Sequence, residues 1–240
     1  MARRDDAITV EVHCVALSVD GIARASRPAR PARLDVLLAR GTGAHAGKWT
    51  LPGVALRADE SLEDAARRAL RQGDGVVGLE GVVLEQLATF SEVDSHAASR
   101  VLTVAWIALA RREPNAPADD ASPVRATAWH AATKPPTLSG DAARIVAAAR
   151  ERLADDVRRR ATGFELLPAR FTLWQLQQVH QAALARAVDK RNFRKRALAA
   201  GVLDETDARE EGVAHRAARL YAFNRKRYEK LRARGIDLDL

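Results

Sequence analysis

The sequence predicts an α+β chain in two parts: a mixed strand-and-helix sandwich, then a smaller basic module. Three observations carry that reading. Val- and Leu-rich runs of alternating polarity are interspersed with amphipathic helical stretches over the first part of the chain. Formal charge is uneven, since residues 1–150 hold 19 Lys/Arg against 18 Asp/Glu while residues 151–240 hold 20 against 13. From Thr172 onward, two capped helices are followed by short apolar runs. The overall charge of +8 is therefore concentrated in the last third, which points to a polyanionic partner there.

The elements follow in order. Residues 8–19 alternate and are rich in Val, which predicts a strand, and a Pro-, Ala- and Arg-rich loop over 23–33 leads to a second strand at Leu34–Arg40. Gly41, Gly43 and Gly47 mark a loop ending at Lys48-Trp49-Thr50-Leu51-Pro52-Gly53. Residues 61–72 predict a helix, with Ser61 as N-cap, Asp64 at the reciprocal position, and Gly73 and Gly75 as its stop. Strand-like runs follow at 76–90 and 100–110, a loop at 111–125, a short strand around Trp129, and an Ala-rich helix over 140–153. Residues 154–164 predict a linker or the fraying end of that helix, which gives domains of 1–153 and 165–240.

Composition excludes several classes. Cys14 is the only cysteine, so neither an intrachain disulfide nor a thiolate metal site is available. Arg3 and Arg4 are followed by Asp5 and Asp6 with no apolar run, which is not a signal peptide, and no stretch approaches the length of a bilayer span. A cytoplasmic protein with no membrane partner is expected. The six histidines show no ligand spacing, and His96 and the others are expected at the surface.

Residues 48–76 resemble the Nudix hydrolase signature, with the flanking strands extending the similarity over about 8–153. Trp49, Leu51, Pro52 and Gly53 match its approach, and Glu60, Arg68, Leu70, Gly75 and Val76 match inside the box. Val54 stands where the approach has its second glycine. At the three helical glutamate positions stand Ala69, Gln72 and Gly73. Glutamates at that spacing share a helix face and hold hard divalent cations through oxygen. Their replacement predicts a domain without metal and without hydrolase activity; Glu63 and Asp64 lie on the wrong face to substitute. Glu60 and Arg68, which in the family brace the loop against the helix, are both present.

In the last third, Leu166-Leu167-Pro168-Ala169-Arg170-Phe171-Thr172-Leu173-Trp174-Gln175-Leu176-Gln177 precedes Asp189-Lys190-Arg191-Asn192-Phe193-Arg194-Lys195. Together with the first resemblance, this is similar to the Nudix-related transcriptional regulators of NrtR type. The fold expected is thus a Nudix-like α/β/α sandwich followed by a winged helix-turn-helix. The residues agree: Thr172 with Gln175 predicts a capping box, and Leu173, Leu176, Val179 and Ala183 an apolar stripe. Asp189 caps a second helix ending near Gly201, with Phe193, Ala197 and Ala200 inward and Lys190, Arg191, Arg194 and Lys195 on another face. Asn192 adds an amide suited to a base edge or a phosphate. Val202-Leu203 and Ala218–Phe223 predict wing strands, with Arg216 and Arg219 as phosphate contacts, and residues 224–234 a last basic helix in which Arg225, Lys226 and Arg227 rank below 190–195 as contacts.

The resemblance implies a repressor of NAD-metabolism or related genes that binds double-stranded DNA at a palindromic operator as a homodimer, with an ADP-ribose-like effector in the Nudix domain. Arg40, Arg68 and Arg100 are the expected phosphate ligands, with Arg40 and Arg68 otherwise salt-bridge partners. Trp49 and Trp106 are stacking rings for a base, or else core packing. The competing expectations are an active pyrophosphohydrolase with an atypical metal site, a sugar-responsive regulator and an RNA-binding adaptor.

Overall fold

The computed structural model describes residues 8–22, 31–42, 46–71, 82–91, 100–111, 127–211 and 217–240. The chain divides into two compact units, one of residues 1–17, 36–109 and 117–149, the other of residues 18–35, 110–116 and 150–240.

The first unit is built on a mixed sheet. Its strands are β1 (Ile8–Asp20), β2 (Arg33–Arg40), β3 (Trp49–Thr50), β4 (Gly53–Ala55), β5 (Leu84–Phe90), β6 (Arg100–Leu109) and β7 (Thr127–Ala131). The order is β3-β2-β1-β6-β5, with β4 paired to β1 and β7 to β2. β1 and β6 run parallel, in register from Ile8 opposite Arg100 to Leu17 opposite Leu109. That register puts Val12 and Cys14 beside Val104 and Trp106, on the face covered by α1 (Leu62–Arg71) through Ala65, Ala66, Ala69 and Leu70. The strand period of two places Glu11 and His13 on the opposite face. Cys14 is fully buried, its thiol donates to the Ala66 carbonyl at 3.2 Å, and burial pushes its pKa up to about 12, so the thiol is inert. Helix α1 starts as predicted: the Ser61 hydroxyl accepts from Asp64 N at 3.1 Å, and acids occupy the first turn and arginines the last.

Helix α2 runs from Ala142 to Arg159 and is followed by a 3-10 helix, Ala161–Leu166. The stretch expected as a linker is therefore helical over most of its length. Leu153 and Val157 continue the buried stripe of Ile145, Val146 and Ala149, and Asp156 pairs with Arg152 at 2.8 Å and Arg160 at 3.3 Å. These contacts carry the helix past its expected end.

The second unit holds α3 (Leu173–Leu184), α4 (Lys190–Ala199), the strands β8 (Leu203–Arg209) and β9 (Arg219–Phe223), and α5 (Arg225–Ala233). The capping box at Thr172 and Gln175 forms, with Gln175 N donating to the hydroxyl at 3.1 Å and Thr172 N to the side-chain amide oxygen at 2.8 Å. The apolar stripe Leu173, Leu176, Val179 and Ala183 is buried. So are Gln175, Gln177, Gln178 and His180, so α3 is enclosed on more than its apolar face. The three glutamines are hydrogen-bonded: Gln175 Nε2 donates to Ile22 O at 2.8 Å, Gln177 Nε2 to Val188 O at 3.1 Å, and Gln178 Oε1 accepts from Ala32 N at 3.4 Å. His180 lies 2.9 Å from both the Leu176 and Val157 carbonyl oxygens. Among the described residues no helix is long and apolar enough to cross a membrane.

Candidate functional site

Helix α4 separates its two functions by side. Asp189 caps it, accepting from Asn192 N at 2.7 Å. Phe193 and Ala197 are buried, and the Phe193 ring meets His180 edge-on at 4.8 Å, which fixes the helix on α3. Ala200, expected inward, is the C-cap and only half-buried. Arg191 and Lys195 lie opposite Phe193 and Ala197 by helical period, with Lys190 and Arg194 to one side and Asn192 to the other. All five are exposed, and the four cations have no partner among the described residues. Arg196 is held instead by Asp239, donating to its backbone oxygen at 2.7 Å and to its carboxylate. The wing forms as β8 and β9, paired antiparallel. Arg219 is exposed there, but its guanidinium is engaged by Glu205 on the paired strand. Arg216 lies outside the described residues.

The first unit contains a cleft of about 490 Å³, lined by Glu11, His13, Thr42, Thr50, Arg57 and Arg68 among its polar residues. Of the residues expected around an effector, only Arg68 reaches it. Arg68 is braced by Glu60 through two hydrogen bonds, the Nε one at 3.0 Å, and also donates to Ala55 O at 2.9 Å. The Arg68 guanidinium, helped by the Arg57 backbone N–H at 2.9 Å, holds the Glu60 carboxyl at about 2, well below its ordinary range. On the other wall, His13 Nε2 lies 2.9 Å from Glu11 Oε2, and its ring presses on Gly53, where a Cβ would meet three ring atoms at 2.9 Å. The Trp-x-Leu-Pro-Gly approach thus needs its glycine at 53 for this contact.

The other expected effector residues are placed elsewhere. Arg40 donates to Gly47 O at 2.8 Å and lies over the Trp49 ring at 4.0 Å, so its cation covers one face that a base would use. The Trp49 ring also meets His130 edge-on at 4.6 Å. Arg100 donates to Ser91 Oγ at 2.8 Å at an exposed position. Trp106 is 9% exposed and packs in the core under α1. Residue reasoning missed Glu11, His13 and Arg57. The first two were visible as polar residues alternating with Val10, Val12 and Cys14 along β1; Arg57 had no signal beyond its place before Glu60. Ala69, at the first helical glutamate position, is 1% exposed within the core, and Gln72 and Gly73 lie outside the described residues.

A sandwich with a Nudix-like helix, followed by a winged helix whose α4 presents exposed cations, defines a Nudix-like domain joined to a DNA-binding type of winged helix. Residues 22–149 match the NUDIX domain and residues 163–223 the NrtR DNA-binding winged helix domain. The chain belongs to the NUDIX family, in the branch that carries the NrtR winged helix. It is 28% identical to the ADPR responsive transcriptional repressor NtrR of Acinetobacter baylyi over 183 residues, 75% of this chain and 72% of that protein. Its fold matches Shewanella oneidensis NrtR, solved in complex with a 27mer DNA, with a TM-score of 0.70 and 27% identity over 89% of this chain and 93% of that one. A MutT/nudix family protein from Enterococcus faecalis shares the fold, with a TM-score of 0.68 and 22% identity over 93% of this chain and 89% of that one.

Proposed function

We propose that this chain is a transcriptional repressor that binds operator DNA through α4 and is released when its NUDIX domain takes up ADP-ribose or a close nucleotide relative. The observation that carries the reading is α4 itself, a helix docked by Phe193 and Ala197 that presents four unpartnered cations and an amide to solvent. That arrangement suits a major groove, where cations hold phosphates and read guanine, and Asn192 suits an adenine edge. Binding as a homodimer to a palindrome follows from the same geometry, because one short helix gains affinity from paired half-sites about one helical turn apart. Genes of NAD metabolism are the expected targets, since their product pools would set the effector.

The NUDIX domain acts here as a sensor without hydrolysis. In support, the first of the three helical positions where the family holds a divalent cation carries Ala69, whose buried methyl group offers no ligand oxygen. The cleft remains, shaped by the Glu60–Arg68 brace. Domains of 1–153 and 165–240, joined through the helical stretch between them, would then sense and bind respectively.

The test is a footprint on fragments of the source genome, repeated with ADP-ribose, with AMP release followed in Mg²⁺ on the same samples. The reading expects a protected palindrome, loss of protection on adding ADP-ribose, and no enzymatic release of AMP. Sustained AMP release would replace it with a hydrolase, and an absence of any protected sequence would remove the repressor.

A further inference from the structure

We propose that α5 is a second DNA-contacting surface, which holds backbone phosphates flanking the bases read by α4 and reads no sequence itself. The proposal rests on α4 being the DNA-reading helix. On composition, residues 225–234 would pass for a solvated basic tail. Anchorage and the placement of charge argue otherwise.

The helix is fixed to the end of α4. Asn224 caps it, accepting from Arg227 N at 2.9 Å, while its own N–H donates to Val202 O at 2.8 Å and its amide to Asp204 at 2.8 Å. The Arg227 guanidinium donates to Gly201 O at 3.0 Å, to Leu203 O at 3.3 Å and to the Asp204 carboxylate. Arg225 pairs with Glu165, and Tyr228 packs on Phe223 at 5.7 Å. Gly201 directly follows the C-cap of α4, so α5 starts one hydrogen bond from the end of the reading helix. Helix α4 is about 15 Å long, and duplex DNA offers a phosphate charge about every 1.7 Å of its axis. Cations starting at the far end of α4 therefore meet backbone beyond the bases faced by its first turns.

The charges are also divided in a telling way. Arg225 and Arg227 are spent on anchoring, whereas Lys226, Lys230, Arg232 and Arg234 are exposed with no partner among the described residues. Helix α5 has no acid in its first turn and cations in its place, against the helix dipole, whereas α1 follows the dipole with Glu63 and Asp64. Helix α4 has the same inversion. A helix chosen only to solubilise would put its cations at the other end; Lys230 and Arg232 in the last turn satisfy that rule, but Lys226 in the first turn does not. Lys226 and Lys230 lie one turn apart, on the side of the helix away from Tyr228, and are the phosphate contacts we assign.

The test uses the full chain and its Lys226→Ala/Lys230→Ala variant, titrated across a salt series onto a genomic duplex protected by the wild type and onto a random-sequence duplex of equal length. Losing two phosphate contacts should lower the slope of log affinity against log salt by about 1.8. Both duplexes should weaken by the same factor, with their affinity ratio and the melting temperature unchanged. A wild-type slope and affinity in the variant would overturn the proposal, as would a loss confined to the genomic duplex. Failure of the wild type to bind either duplex would instead overturn the reading of α4, and this proposal with it.

Discussion

Phe193 connects both faces of α4 at the level of one residue. Its ring is 2% exposed and seats against His180, and every cation on the helix depends on that seat for its position. Phe193→Ala should destabilise the second unit by about 3–5 kcal/mol, measured by urea unfolding, and weaken DNA binding through lost docking. Lys195→Ala, which removes only an exposed charge, should leave stability unchanged within about 0.5 kcal/mol while weakening DNA binding. His180 gives a pH signature. Burial lowers its pKa from 6.5, more than the Leu176 and Val157 carbonyls raise it. The unfolded chain therefore takes up the proton first, so stability is complete above pH 6.5 and falls as pH drops below it. A His180→Gln variant should lose that part of the slope in unfolding measured between about pH 6.5 and 5. Glu60 has the opposite chemistry with the same sign: its depressed carboxyl contributes above the ordinary value of 4.5, and that contribution is lost as pH falls toward about 2.

Among the elements, α3 sets the geometry of the reading module, and both its ends are testable. Thr172→Ala removes the capping box and should cost about 0.5–2 kcal/mol. At the other end Ala185 sits at φ 49, left-handed backbone that strains any residue with a Cβ. Ala185→Gly should therefore raise stability by about 1 kcal/mol, read as an increase in the urea midpoint. A fall would show that loop entropy outweighs the strain. The capping of α3 and α4 was legible in the sequence because the contacts at Thr172 and Asp189 are made within three residues. The burial of Gln175 and Gln178 was not, since their partners Ile22 and Ala32 lie far away in the chain. The end of α2 was misplaced for a related reason: Val157 reads as one apolar residue among charges until it is seen packed as part of a stripe.

For the whole molecule, strand and helix patterning with charge asymmetry gives a sandwich followed by a basic module, and the resemblance of two ordered motifs makes that module a winged helix. The cleft was less legible. Arg68 lines the cleft, whereas Arg40 lies over the Trp49 ring and Trp106 fills the core, placements that depend on which strands become neighbours. Glu11 and His13 reach the cleft because β4 pairs with β1, bringing Gly53 against the His13 ring. Operator binding by this chain requires that the cations of α4 bind duplex DNA. The most direct measurement is the affinity of the Lys190→Ala/Arg191→Ala/Arg194→Ala/Lys195→Ala variant for a duplex that the wild type protects, with stability checked in parallel. The predicted result is loss of sequence-specific binding with unchanged unfolding; equal affinity for wild type and variant would contradict the account.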